Sequence, residues 1–100
     1  MEKEINLENI IAHGALIIDV RTVGEYKNGH IQGSLNVSLN DIEDAMSWLI
    51  KDVPLVVVCE TGSRSAVAEK ILKTNGYKAV YNGGSWDSLG SIKAGGCPIK

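Results

Sequence analysis

Four short apolar runs recur along this chain with helical patterning between them: Leu16-Ile17-Ile18, Leu35-Asn36-Val37, Leu55-Val56-Val57-Val58 and Ala79-Val80-Tyr81. Runs this brief, built mostly from β-branched residues and leucine, suit strands buried on both faces of a parallel sheet. Glu4-Ile5 is a candidate for a further short edge strand. Among the helical stretches, Asn40 reads as an N-cap with Glu43 three residues on, the spacing of a capping box. Ile42, Ala45, Met46, Leu49 and Ile50 then form one apolar stripe, and Pro54 ends the helix. A second helix is expected from Ser63 to Ser65 onward, burying Val67, Ala68, Ile71 and Leu72, with Gly76 as a left-handed terminator. Asn6 is placed to cap a shorter helix through Leu7, Ile10 and Ile11 that Gly14 closes, and residues 22–28 read as another short helical turn. Strand and helix alternating along one chain describe an α/β domain with helices on both faces of its sheet. Such sheets bind ligands beyond the carboxyl ends of their strands.

The 100 residues suffice for one domain, and no linker, repeat or low-complexity segment divides them, so 1–100 reads as a single unit. A net charge of −2 gives no basic face for nucleic acid. No apolar run approaches membrane-spanning length, and Met1-Glu2-Lys3-Glu4 lacks the basic flank and apolar stretch of a signal peptide. The expected location is the cytoplasm. Cys59 and Cys97 are the only cysteines, and with His13 and His30 they show no ligand spacing, which argues against both a disulfide framework and a structural zinc site. Reactivity is the better reason for a cysteine to matter here. Nothing in the sequence indicates an oligomeric state.

Chemistry concentrates in Val58-Cys59-Glu60-Thr61-Gly62-Ser63-Arg64-Ser65, which runs from the third apolar run straight into a helix. Cys59 therefore ends a buried strand, and the loop after it lies at a helix N-terminus. Backbone N–H groups of such a loop converge, and the helix dipole adds positive potential. Gly62 permits the tight turn, and Arg64 supplies a cation able to hold an oxyanion through paired hydrogen bonds. These features favour a thiolate at Cys59, and equally a terminal persulfide sulfur or an incoming anion. A thiolate so held is a covalent catalyst that needs no neighbouring general base. The plainer alternative, a strand cysteine acting as a small hydrophobe, is outweighed by the glycine and arginine that follow it.

With these residues in view, the sequence resembles the rhodanese superfamily along nearly its whole length. Leu16-Ile17-Ile18-Asp19-Val20-Arg21, then Glu25-Tyr26, then Gly29-His30-Ile31-Gln32-Gly33-Ser34-Leu35-Asn36 is similar to the family's N-terminal signature, with Gln32 and Ser34 standing where proline and alanine are usual. Asn82-Gly83-Gly84 with Trp86 resembles the C-terminal signature, and Gly96-Cys97-Pro98 stands where Gly, an apolar residue and Pro are common. The resemblance implies a three-layer α/β/α fold around a mostly parallel five-stranded sheet, with Cys59 catalytic and Glu60, Thr61, Gly62, Ser63, Arg64 and Ser65 forming the substrate-binding loop. It also implies a sulfurtransferase that takes a sulfane sulfur from thiosulfate or a persulfide and delivers it to a thiol or to cyanide. No metal or organic cofactor is expected. The partners implied are a small sulfur donor, a thiol acceptor and, in one version, a protein persulfide donor. Four residues separate Cys59 from Arg64. The related phosphatases and arsenate reductases have one residue more, and tyrosine phosphatases want His where Val58 stands, so sulfur transfer is favoured over phosphoryl transfer.

Other residues have plainer expectations. Asp19 is expected to bond backbone amides, Arg21 to pair with Glu25, and His30 to hold a turn together. Ser65 is expected to cap the helix or hydrogen-bond the loop. Glu60, a carboxylate beside an anion pocket, should weaken binding of dianionic thiosulfate if it points inward. Cys97 is read as a packing residue, with a resolving thiol as the alternative. Trp86 is expected to pack a C-terminal helix on the sheet, and Trp48 to be partly exposed. Four functions compete with the enzyme: a non-enzymatic relay fed by a partner protein, a phosphatase or arsenate reductase of the same fold, a purely structural domain, disfavoured because Cys59 and Arg64 are both present, and a thiol redox sensor.

Overall fold

The computed structural model describes residues 7–89. Its elements alternate as the apolar pattern requires. Helix α1 (Leu7–Ala12) leads to strand β1 (Leu16–Asp19), helix α2 (Val23–Lys27) and strand β2 (Leu35–Asn36). A 3-10 turn (Leu39–Asp41) and helix α3 (Ile42–Ala45) precede strand β3 (Leu55–Cys59), helix α4 (Ser63–Thr74), strand β4 (Val80–Ser85) and a final 3-10 turn (Trp86–Leu89). The strands form a wholly parallel sheet in the order β2-β1-β3-β4. The described residues thus hold four strands where five were expected. The proposed edge strand at Glu4-Ile5 and the Asn6 cap fall outside them.

Strand β3 lies at the centre and is buried at all five positions, and its side chains alternate between two cores as strand geometry demands. Leu55, Val57 and Cys59 join Ile18, Ile42, Ala45, Leu49, Ala68 and Leu72 on the face covered by α3 and α4. Val56 and Val58 join Ile11, Ala15, Ile17 and Ile31 on the other, where Leu7, Ile10 and Trp86 pack against them. The parity of the strand therefore aims Cys59 toward α4. No helix among the described residues is long and apolar enough to cross a membrane.

Two details of the helices differ from the sequence pattern. Asn40 lies inside the 3-10 turn and caps nothing; α3 starts at Ile42 behind Asp41, with no side-chain cap bond. After Ala45 the chain continues through tight turns, with Met46, Ser47 and Trp48 N–H groups bonding back three residues. That spacing rotates later residues off an α-helical stripe, so Leu49 remains buried while Ile50 faces solvent beside the expected exposed Trp48. In α4, Ser65, Ala68 and Leu72 form the buried row and Val67 is exposed. At 3.6 residues per turn Val67 sits about 200° round from Ser65, so a helix that turns Ser65 inward must turn Val67 out. Gly76 does take the left-handed conformation just past the helix, at φ +97°.

Candidate active site

The loop from Cys59 to Ser65 joins the carboxyl end of β3 to the N-terminus of the twelve-residue α4. Gly62 makes the turn possible: it occupies the N-cap position of α4 at φ +99°, a conformation that side chains disfavour. Its N–H donates to Cys59 Sγ at 2.9 Å, and the Ser65 N–H donates at 3.3 Å. The Ser65 hydroxyl oxygen lies 3.5 Å from the sulfur. Burial alone would push the thiol pKa up. The contact with the Ser65 side chain and hydrogen bonds from the Ser65, Gly62 and Thr61 amides outweigh it, and the net shift is downward. Side chains of Thr61 and Ser63 bond each other at the exposed rim, 3.1 Å apart. Ser65 is thus the loop's hydrogen-bond partner and not its cap.

Arg64, expected to face anions, instead grips a carboxylate. Its guanidinium donates to Glu25 at 2.9 and 3.1 Å. The bridge, with further help from the Thr22 backbone N–H, holds the Glu25 carboxyl at about 2. Glu25 also closes a capping box with Thr22 at the start of α2, which the spacing Thr22-Val23-Gly24-Glu25 could have announced.

The expected pairing of Arg21 with Glu25 is therefore corrected. Arg21 doubles back on Asp19, with Nε to Oδ1 at 2.9 Å and Nη2 to Oδ2 at 2.7 Å, and gives a further bond to the Gly29 carbonyl at 2.7 Å. Both residues are almost wholly buried, and a buried guanidinium requires a partner this close. Asp19 does accept one backbone amide, that of Arg21, at 3.1 Å. Trp86 lies against the guanidinium, 4.6 Å from ring centroid to Cζ, while packing on the second core. Glu60 reaches the same guanidinium at 3.5 Å but is 55% exposed at the loop mouth. His30 ties down its turn as expected: Nδ1 donates to the Tyr26 carbonyl at 2.7 Å and the ring stacks on Tyr26. Cys97 lies outside the described residues.

One residue of the site escaped sequence reasoning. Asn82, read only as part of a glycine signature, reaches from β4 into the cysteine loop. A bulge sets it there: Val57 pairs with Asn82 but Val58 with Gly84, leaving Gly83 extra. Its Oδ1 accepts from the Ser65 hydroxyl at 2.6 Å and from the Gly84 N–H at 2.9 Å, while Nδ2 donates to the Gly62 carbonyl at 3.2 Å. No periodicity points to such a contact, because it depends on a strand irregularity.

Residues 3–88 match the family model described as the rhodanese-like domain. A thiosulfate sulfurtransferase of Escherichia coli is 31% identical over 81 residues, covering 79% of this chain and 78% of that protein. A putative sulfur carrier protein of Bacillus subtilis is 33% identical over 66 residues, 66% of this chain; the chain spans only 36% of that protein's length. A rhodanese from E. coli solved with anions superposes with a TM-score of 0.66 at 32% identity, over 73% of this chain and 88% of that one.

Proposed function

Since the chain belongs to the rhodanese-like domain family, we propose that Cys59 accepts a sulfane sulfur as a persulfide and passes it to a thiol. The observation that carries this reading is the convergence of the Gly62 and Ser65 N–H groups on Cys59 Sγ. They favour the thiolate needed for attack and stabilise it again when it leaves. In the first half-reaction the Cys59 thiolate bonds to the outer sulfur of the donor. The donor's S–S bond breaks, and sulfite leaves thiosulfate, or a thiolate leaves a persulfide, with the electron pair. In the second, an acceptor thiolate attacks the outer sulfur of the Cys59 persulfide and the Cys59 thiolate departs. No metal or organic cofactor is called for by either step. The related thiosulfate sulfurtransferase supports this class of reaction, and the short loop favours sulfur over a tetrahedral phosphoryl group.

The charge pattern favours a persulfide donor over thiosulfate. The loop cation, Arg64, is already paired with Glu25, and Glu60 stands at the mouth. A dianion approaching Cys59 finds the Arg64 guanidinium already neutralised by Glu25 and the exposed Glu60 carboxylate only loosely offset by Arg21, whereas a persulfide donor with a single charge at its sulfur is penalised less. The same pattern suits a relay fed by a partner protein, a role in keeping with the carrier-protein name of one relative.

Intact-mass spectrometry after incubation with thiosulfate, or separately with glutathione persulfide, tests the proposal. A gain of one sulfur that cyanide removes, absent from Cys59→Ser, is the expected result, with the persulfide the better donor. Uptake in the Cys59→Ser variant overturns the assignment. No uptake from either donor rules out the small-molecule enzyme and leaves the protein-fed relay, or oxyanion chemistry, to be tested with a persulfidated partner and an aryl phosphate.

A further inference from the structure

The Ser65 hydroxyl has one proton and three neighbours that bear on it: Asn82 Oδ1 at 2.6 Å, the Gly62 carbonyl at 3.1 Å and Cys59 Sγ at 3.5 Å. The orientation of the Asn82 amide is fixed by groups that have no choice of role. The Gly84 N–H can only donate, so it meets Oδ1, and the Gly62 carbonyl can only accept, so it meets Nδ2. Oδ1 thus faces Ser65, which must be the donor. With its proton spent on Asn82 at the shortest of the three distances, Ser65 turns a lone pair toward the sulfur. A thiol can give its S–H to that lone pair; a thiolate cannot use it. To stabilise the thiolate, the hydroxyl must rotate and give up Asn82.

From this geometry we infer that Asn82 is a positioning residue that competes with the Cys59 sulfur for the Ser65 proton and so restrains thiolate formation. The loop amides favour the thiolate at all times, whereas the Ser65 hydroxyl is available to it only at the expense of the Asn82 bond. Asn82 is not a charged group and touches neither sulfur nor substrate; it acts through Ser65. The charged residues beside the loop are Glu60 next to the cysteine, Arg64 on α4 with its partner Glu25 on α2, and Arg21 with Asp19 at the end of β1. None of them bonds the Ser65 hydroxyl, so their fields persist when Asn82 is replaced. A role for this competition in catalysis rests on Cys59 being the reactive group of the proposed sulfur transfer, but the competition itself is a property of the free thiol.

The test is the pH dependence of Cys59 alkylation by iodoacetamide, read at the Cys59 peptide by mass spectrometry. This measures thiol acidity without sulfur transfer, so failure of the proposed function leaves the result intact, and the reverse. Releasing a hydrogen bond to the anion is expected to shift the midpoint by about one pH unit, tenfold in thiolate fraction. Asn82→Ala moves it down. In a Ser65→Ala background, Asn82→Ala moves it no further. Loss of the Nδ2 bond to Gly62 offers the rival explanation, in which Asn82 merely shapes the loop. That rival requires the midpoint to rise or stay constant in Asn82→Ala, or the shift to persist without Ser65, and any of these results overturns the inference. Circular dichroism and thermal unfolding of each variant confirm that the titrated species is folded.

Discussion

Arg64 and Glu25 lie 39 residues apart in sequence and are joined by two parallel hydrogen bonds, fastening α4 to α2 beside the cysteine loop. The bridge ties the loop cation to a carboxylate and makes its contribution to stability depend on pH. The bridge to Arg64 holds the Glu25 carboxyl at about 2 in the folded protein, below its ordinary value of 4.5. Its folded-state pKa is depressed, so its stabilisation is complete above the unfolded value and is lost as pH falls through the folded one. Glu25→Gln is therefore expected to lower Tm by the same amount from pH 7 down to about 5, with the difference from wild type shrinking as pH falls toward 2. Unfolding curves for both proteins across that range check this; a gap that opens on acidification contradicts it.

Gly62 is required for its backbone. At φ +99°, an added Cβ would lie 3.3 Å from the Gly84 Cα. Gly62→Ala is expected to cost about 1–2 kcal/mol from the left-handed conformation alone. Relief of that strain would draw the Gly62 N–H away from the sulfur, slowing Cys59 alkylation at neutral pH several-fold. Urea unfolding and alkylation rates on the same variant separate the two effects.

Glu60 follows Cys59 in the chain and is exposed, with its carboxylate 3.5 Å from Arg21. Replacing it with glutamine removes a negative charge from the loop mouth, and the thiosulfate KM is expected to fall several-fold while the value for a persulfide donor changes little. Steady-state kinetics with the two donors decide the point. An unchanged thiosulfate KM means that the exposed carboxylate turns to solvent and to Arg21.

Tyr77 supports the fold away from the site. It is buried, and its hydroxyl donates to the Leu49 carbonyl at 2.5 Å, closing the segment after α3 where helical bonds have ended. Tyr77→Phe leaves that carbonyl without its partner and is expected to cost about 1–3 kcal/mol, with no change in the Cys59 alkylation profile. Chemical denaturation gives the first quantity and the alkylation assay the second.

Local order in the sequence was enough for the α/β architecture, because each apolar run and helical stripe encodes its own burial. Leu55 to Val58 read as a doubly buried strand and form one. The turn at Gly62 and the terminator at Gly76 were legible for a similar reason, since a left-handed residue is a local requirement. Cys59 was legible too, because a strand end, a glycine and a helix start lie within seven residues of one another, and the convergence of amides on the sulfur follows from that short path.

Only the tertiary structure decided which charges meet and where the loop's hydroxyl proton goes. Arg21 chose Asp19 over Glu25 because burial demands a close bidentate partner, and that choice left Glu25 to Arg64. The apolar stripe through Ile50 failed because the turns after Ala45 tighten, and Val67 faces solvent because Ser65 must face inward. Asn82 reaches the loop through a one-residue bulge between neighbouring strands. Sequence periodicity records which face a residue shares with its near neighbours. Pairings across the sheet are set by register and by competition among partners, and those exist only once the chain has folded.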